Sequence, residues 1–95
     1  MKTNVTFRHF KGQHPGLHTM ALEAAEQLGK YNQAIISTDV EFINDENKIV
    51  EFTVFVQGKT LKVSESSDDF KKSLGIAHDK IKRQIKKHKS KLIEH

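Results

Sequence analysis

Residues 34–63, AIISTDVEFINDENKIVEFTVFVQGKTLKV, decide the fold because their apolar and polar side chains alternate in three runs. Alternation of this kind predicts strands with one buried face. The polar run 44–47 and the pair Gln57-Gly58 are typical of turns between such strands. The stretch therefore predicts a three-stranded meander. Its strands are predicted over residues 34–43, over residues 48–56 and through Leu61 and Val63.

The same alternation predicts which side chains form the core. In the first strand of the meander, Ile36 is predicted to lie on the buried face with Val40 and Phe42. Phe7 and Phe52 are also predicted to be core residues. For two more aromatic residues, a solvated position and a contact with the sheet both remain open: Phe10 and Phe55.

The flanking segments complete the element order. Residues 2–8 alternate and predict a strand, whereas Leu17–Tyr31 carry apolar residues at helical spacings of three and four. Ser66 lies three residues before Asp69, which fits a capping box ahead of a second helix of about 26 residues. Its apolar stripe comprises Phe70, Leu74, Ala77, Ile81, Ile85 and Leu92, with His88 filling one step. The order is β-α-β-β-β-α, which belongs to the α+β class.

Length and composition limit the classes of function. The 95 residues predict a single domain over residues 1–95, and the absence of cysteine excludes disulfides and thiolate chemistry. No apolar run is long enough to span a bilayer, and the N-terminus has no signal-peptide pattern. The sequence therefore predicts a cytoplasmic protein.

The net charge of +4 is unevenly distributed along the chain. Residues 70–95 contain nine Lys or Arg and two acids, so this segment carries +7. Residues 1–69 contain seven basic and ten acidic side chains, so they carry −3. A basic C-terminal helix on an acidic body indicates a polyanionic partner that is met by one face.

Seven Lys or Arg fall within residues 80–91, and no acid interrupts them after Asp79. On a helical wheel one row of cations forms a continuous ridge, which consists of Lys80, Arg83, Lys87 and Lys91. Lys82, Lys86 and Lys89 occupy the other flank of the same polar face. Steps of about 5–6 Å along a helix can follow a row of phosphates, the main source of nucleic-acid affinity. His88 is either a residue at the core margin or an additional donor to RNA.

Other interpretations of this helix explain less. A solvated helix end needs one or two lysines rather than seven. A membrane-surface helix would need the apolar stripe that the core already uses.

A metal pair at His14 and His18 is interrupted by Pro15-Gly16, and no catalytic motif is present. We therefore predict no enzyme activity, no cofactor, no metal, no membrane contact and no small-molecule substrate.

The stretch DKIKRQIKKHKSKL, residues 79–92, resembles the C-terminal helix of the ribosome hibernation-promoting factors. These proteins are grouped with the ribosome-associated inhibitors once called sigma-54 modulation proteins. The element order, the Gly58 turn and the chain length extend the resemblance to the whole sequence. Residues 1–95 are thus similar to the short form, which lacks the dimerisation domain of longer members.

The resemblance implies a four-stranded sheet with two helices on one face, similar to the double-stranded-RNA-binding domain. It implies a stress-response protein, monomeric off the ribosome, that binds the small ribosomal subunit and its ribosomal RNA. There it would occupy the channel of tRNA and mRNA, inhibit translation and store the ribosome. The family's basic contacts carry over onto Lys80, Arg83, Lys87, Lys89 and Lys91.

One departure and two alternatives accompany the resemblance. The first helix carries Glu23 and Glu26 and only Lys30, where the family is more basic. A general double-stranded-RNA-binding module is the first alternative, but the acidic pair Asp68-Asp69 lies where that class places lysines. A protein-binding modulator of transcription, acting on a sigma factor, is the second.

Overall fold

The computed structural model describes the backbone of residues 2–93 and the side chains of residues 2–88. The order β-α-β-β-β-α is confirmed. The elements are β1 Lys2–Arg8, α1 Pro15–Gly29, β2 Ile35–Asn44, β3 Lys48–Val56, β4 Lys59–Ser67 and α2 Phe70–Ile93. Helix α1 begins two residues before the predicted Leu17, because proline is well tolerated in the first turn of a helix.

The four strands form one mixed sheet in the order β1-β2-β3-β4. Strand β1 is parallel to β2, and the α1 crossover makes this pairing possible. The two hairpins of the predicted meander make the remaining pairs antiparallel. Gly58 has φ +81° in the tight turn between β3 and β4, a conformation that favours glycine. The α+β fold predicted from the sequence is therefore confirmed.

Both helices cover the same face of the sheet and enclose one core. Helix α1 contacts β1 and β2, α2 contacts β3 and β4, and the helices touch each other. The largest buried apolar side chains are Phe42, Phe52, Leu28, Ile81 and Ile85. The burial of each contributes about 1.5–3 kcal/mol to the stability of the fold.

The prediction that Ile36 faces the core is wrong. A β-bulge between Ile35 and Ser37 shifts the register by one residue, so Ile35 is 6% exposed and Ile36 is 61% exposed. An extra residue reverses the faces of the residues on one side of it. Beyond the bulge, Val40 and Phe42 are buried as predicted.

The two phenylalanines left open by the sequence lie in different environments. Phe10 is half-buried, with its ring centroid 5.1 Å from Phe7 and 5.1 Å from Phe70. Phe55 lies on the uncovered face of the sheet and is 36% exposed. Phe10 therefore extends the core beyond the end of β1, and Phe55 does not contribute to it.

The loop into α2 is organised by Ser67 rather than by the predicted Ser66. Ser67 Oγ accepts a hydrogen bond from the Asp69 backbone N–H and lies 2.6 Å from Ser73 Oγ. Ser73 is buried and donates its hydroxyl to the Lys48 carbonyl at 2.6 Å. These contacts fix the start of α2 beside the end of β4.

From that start α2 runs antiparallel to β4. His88, near the other end of the helix, lies beside Lys59 and Leu61 at the beginning of the strand. The 24 residues of α2 span about 36 Å, against about 30 Å for the nine residues of β4. The helix therefore extends past the strand at its C-terminal end. Leu92, the last predicted residue of the apolar stripe, has a side chain outside the described residues.

His78 lies at the contact between the two helices. Burial lowers the pKa of its imidazole, and the nearby Lys82 lowers it further. A hydrogen bond to the backbone of Ala24 and the charge of Asp79 act in the opposite direction. Because burial dominates, the pKa is lowered overall and the uncharged form of the ring is favoured where it packs against α1.

Candidate nucleic-acid interface

Three cations near the end of the described part of α2 are exposed and lie away from the buried apolar stripe of the helix. Ile81 and Ile85 are fully buried, whereas Arg83 and Lys87 are exposed away from them and Lys86 is exposed on the flank towards α1. Among the described side chains, no carboxylate pairs with any of these three cations. We call Arg83, Lys86 and Lys87 the open cluster. Their charges are available to a polyanion at no cost in broken ion pairs.

Lys80, the first residue of the predicted ridge, has an acidic partner on the sheet. Its ammonium donates to Glu65 Oε2 at 3.0 Å, with the Lys80 side chain 52% exposed. An exposed pair of this kind contributes only about 0–1 kcal/mol to stability. Lys80 can therefore bind a phosphate, but only in competition with the Glu65 carboxylate.

Lys82 and Lys86 lie on the flank that faces α1. Lys82 Nζ is 3.7 Å from Asp79 Oδ1, and both ammonium groups lie over the ring of Tyr31. The distances to the ring centroid are 6.0 Å for Lys82 and 4.8 Å for Lys86. The predicted second flank therefore includes a contact with α1 that helical spacing does not show.

His88 is half-buried against the sheet. Its Nε2 is shielded from solvent and has no hydrogen-bond partner among the described residues. His88 therefore lies at the margin of the core and does not have the position of an exposed hydrogen-bond donor. A role for His88 in RNA binding remains a prediction.

Lys59 is a basic neighbour that sequence reasoning missed. It is exposed at the start of β4 and shares a cavity of about 200 Å³ with Gln84, Lys87 and His88. Only the direction of α2 across the sheet brings Lys59 to this place, and no local pattern indicates it. The positive surface thus continues from the helix onto the hairpin.

Two residues of the predicted site cannot be placed in this geometry. The backbone of α2 extends to Ile93, but the side chains of Lys89 and Lys91 lie outside the described residues. Their participation remains a prediction from the sequence.

The uncovered face of the sheet has a different character. It forms an open depression of about 580 Å³ that is lined by three acids and two cations. Arg8 pairs with Glu41 at 2.6 Å and Lys62 with Glu51 at 3.9 Å, while Asn4 donates to Asp39. Because its charges are largely satisfied internally, this larger depression attracts a polyanion less than the open cluster does.

The structure also bears on the membrane and metal alternatives. Over the described residues, neither helix combines the length and the apolar character needed to cross a bilayer. His14 precedes α1 and packs its ring 4.6 Å from Phe10, with Nε2 3.0 Å from the Lys11 carbonyl oxygen. His14 is thus engaged with its own loop.

The family model that matches the chain is described as sigma 54 modulation protein / S30EA ribosomal protein, and it covers residues 3–93. The match spans both helices and all four strands. The chain belongs to this family. The sigma 54 modulation protein / S30EA family comprises ribosome-associated factors that are not enzymes, in agreement with the prediction of no enzyme activity.

Two solved structures share the fold. One is a ribosomal subunit interface protein from Coxiella burnetii, with 22% identity, a TM-score of 0.85, and coverage of 95% of this chain and 99% of that chain. The other is the N-terminal domain of protein Y from Thermus thermophilus, with 16% identity, a TM-score of 0.82, and coverage of 93% and 99%. At these identities the likeness establishes the fold of the chain and leaves its contacts to be argued from its own residues.

Proposed function

We propose that this protein binds the small ribosomal subunit through the basic end of α2 and inhibits translation by occupying the channel of tRNA and mRNA. The ribosome would be stored in an inactive state. With the ribosome as its partner the protein would be cytoplasmic, because ribosomes lie in the cytoplasm. The protein would act as a monomer before it binds.

The observation that carries the proposal is the open cluster, which is exposed on α2 just before the helix extends past the start of β4. Arg83 can fork onto one phosphate with two parallel hydrogen bonds, whereas Lys86 and Lys87 act as point charges. The projecting end can enter a concave RNA surface, which a flat sheet face cannot do. Family membership supports the ribosome as the source of that surface.

The proposed mechanism requires no chemical step. Contacts to phosphates carry no sequence information but fix position and orientation. Few exposed aromatic rings are available to stack bases, so recognition would depend on RNA shape and charge. Inhibition would follow from steric occupancy, because the protein and tRNA would need the same space.

A general double-stranded-RNA-binding module remains the second candidate, and one observation favours it. Lys71 and Lys72 are exposed in the first turn of α2, although Asp68 and Asp69 directly precede the helix. In this alternative both ends of α2 would contact one duplex. The ribosome would then be one target among many.

Sedimentation with separated ribosomal subunits distinguishes the two candidates. The protein is incubated with small or large subunits, with and without an excess of a generic RNA duplex, and pelleted through sucrose. We expect the protein to pellet with small subunits and to remain there in the presence of the duplex. Added tRNA should displace it, since both would occupy the channel.

Two outcomes would overturn specific binding to the small subunit, and a third would overturn the steric mechanism. Equal pelleting with both subunits, or full release by an equal phosphate concentration of duplex, would indicate a general RNA binder. Simultaneous binding of tRNA and protein to one small subunit would contradict the steric mechanism while leaving ribosome binding intact.

Removing the acidic partner of Lys80 should strengthen binding. Glu65→Gln frees the Lys80 ammonium and removes a negative charge 3.0 Å from it. We expect the affinity for small subunits to rise about two- to fivefold at low salt, with a salt slope steeper by up to about 1. Filter binding with labelled protein over a salt series measures both quantities.

Glu51→Gln is the matched control for this substitution. Glu51 pairs with Lys62 on the uncovered face of the sheet, and its side chain is 26% exposed, against 24% for Glu65. The charge change is the same, but the site lies away from α2. We expect no change in affinity for Glu51→Gln. An equal gain in affinity for Glu51→Gln and Glu65→Gln would show that the net charge, and not the release of Lys80, causes the effect.

A further inference from the structure

Tyr31 links the end of α1 to the basic flank of α2. It lies just beyond α1, where its backbone N–H donates to the Leu28 carbonyl at 3.0 Å. Its ring is half-buried at the edge of the core. The ring also lies beneath the ammonium groups of Lys82 and Lys86, at 6.0 Å and 4.8 Å from its centroid. One aromatic ring therefore holds two cations on the same side of the molecule.

On the basis of the proposed function, we propose that Tyr31 is a positioning residue for RNA binding. Its ring holds Lys82 and Lys86 together at the seam between the helices, oriented towards the phosphates. A free lysine samples many rotamers, and ordering it on binding lowers the affinity. A lysine already held over an aromatic ring has lost part of this freedom before RNA arrives.

A neutral ring suits this task better than a carboxylate. An ammonium group has three N–H donors, and one directed at the ring leaves others for a phosphate. Glu65 holds Lys80 in place as well, but its negative charge repels the phosphate that Lys80 would bind. Tyr31 adds no competing charge of its own, so Lys86 is ordered by the ring alone, whereas Lys82 also lies 3.7 Å from the Asp79 carboxylate.

This role also explains how an acidic helix can contribute to a basic surface. The exposed charges along α1 include Glu23 and Glu26, which would repel RNA. At its C-terminal end α1 is followed instead by exposed Lys30 and the Tyr31 ring. The contribution of α1 therefore comes from the residues at its end, which support cations supplied by α2.

A double-mutant cycle on ribosome binding tests the proposal. The variants are Tyr31→Leu, Tyr31→Phe, the double variant Lys82→Gln with Lys86→Gln, and the triple variant that adds Tyr31→Leu. We expect Tyr31→Leu to weaken binding to small subunits about three- to tenfold, and Tyr31→Phe to bind like the original protein. In the background without the two lysines, Tyr31→Leu should change the affinity less than about twofold.

Each contrary result has a distinct meaning. An equal loss from Tyr31→Leu in both backgrounds would indicate a structural role only, and circular dichroism of each variant would show whether the fold is altered. A loss from Tyr31→Phe equal to that from Tyr31→Leu would point to a direct contact of the hydroxyl group. Either result overturns the positioning role.

The proposed function can fail separately from this inference. If the original protein does not bind small subunits, the proposed function itself is wrong. If it binds, and reversal of charge in the open cluster abolishes binding while Tyr31→Leu has no effect, only the positioning role is wrong.

Discussion

Reversing Arg83 and Lys87 together should lower the affinity for small ribosomal subunits by at least about 100-fold near 100 mM salt. Arg83→Glu with Lys87→Glu removes two phosphate contacts and introduces two repulsive charges on the exposed side of α2. The two positions are four residues apart on the helix. One pair of like charges therefore replaces another at the same spacing, and the stability of the helix changes little. Fluorescence anisotropy with labelled protein measures the loss.

A matched control reverses two lysines on another surface. Lys2→Glu with Lys62→Glu changes the net charge by the same amount on the uncovered face of the sheet. Lys62 is 3.9 Å from Glu51 in an exposed pair, so its reversal should cost little stability. We expect this control to bind within about threefold of the original protein at the same salt concentration. Similar losses in both variants would show that net charge, rather than the open cluster, determines binding.

The second large effect concerns stability. Ile85→Ala should lower the free energy of unfolding by about 2–5 kcal/mol, because Ile85 is fully buried where the basic end of α2 meets the sheet. The whole free energy of unfolding of a domain of this size is about 5–14 kcal/mol. Alanine is the better helix former, so the loss would come from packing and not from helix propensity. Urea unfolding followed by circular dichroism measures it.

Ile36→Ala makes the same chemical change at an exposed position. Ile36 is 61% exposed, so the substitution should cost no more than about 0.5 kcal/mol. The alternation in the sequence predicts the opposite, since it places Ile36 in the core. A cost for Ile36→Ala equal to that for Ile85→Ala would argue against the β-bulge at residues 35–37.

The sequence predicted the fold well where a period was maintained. Between positions 48 and 56, apolar residues recur at every second position from Val50 to Val56, and β3 has the predicted bounds in the structure. The bulge in β2 was not predictable, because Ile35 and Ile36 are both apolar and the pattern does not show which of them faces the core. The start of α2 was placed correctly, but Ser67 rather than Ser66 organises it.

The candidate site was predictable only in part for a related reason. A helical wheel gives the angle of each cation about the axis, and it correctly separated Arg83 from Ile81 and Ile85. It does not show which element lies against each flank. The partners Glu65 and Tyr31 come from β4 and from beyond α1, so only the packed fold brings them to α2.

A salt series shows whether the basic end of α2 binds ribosomal RNA through phosphates. The dissociation constant for small subunits is measured between about 50 and 300 mM KCl for the original protein and for Arg83→Gln with Lys87→Gln. With about five phosphate contacts, the logarithm of the association constant, the reciprocal of this dissociation constant, should fall with the logarithm of the salt concentration at a slope between about −3 and −5. The variant should have a slope shallower by about 1.5–2. A slope near zero, or the same slope for both proteins, would contradict phosphate binding by this end of α2.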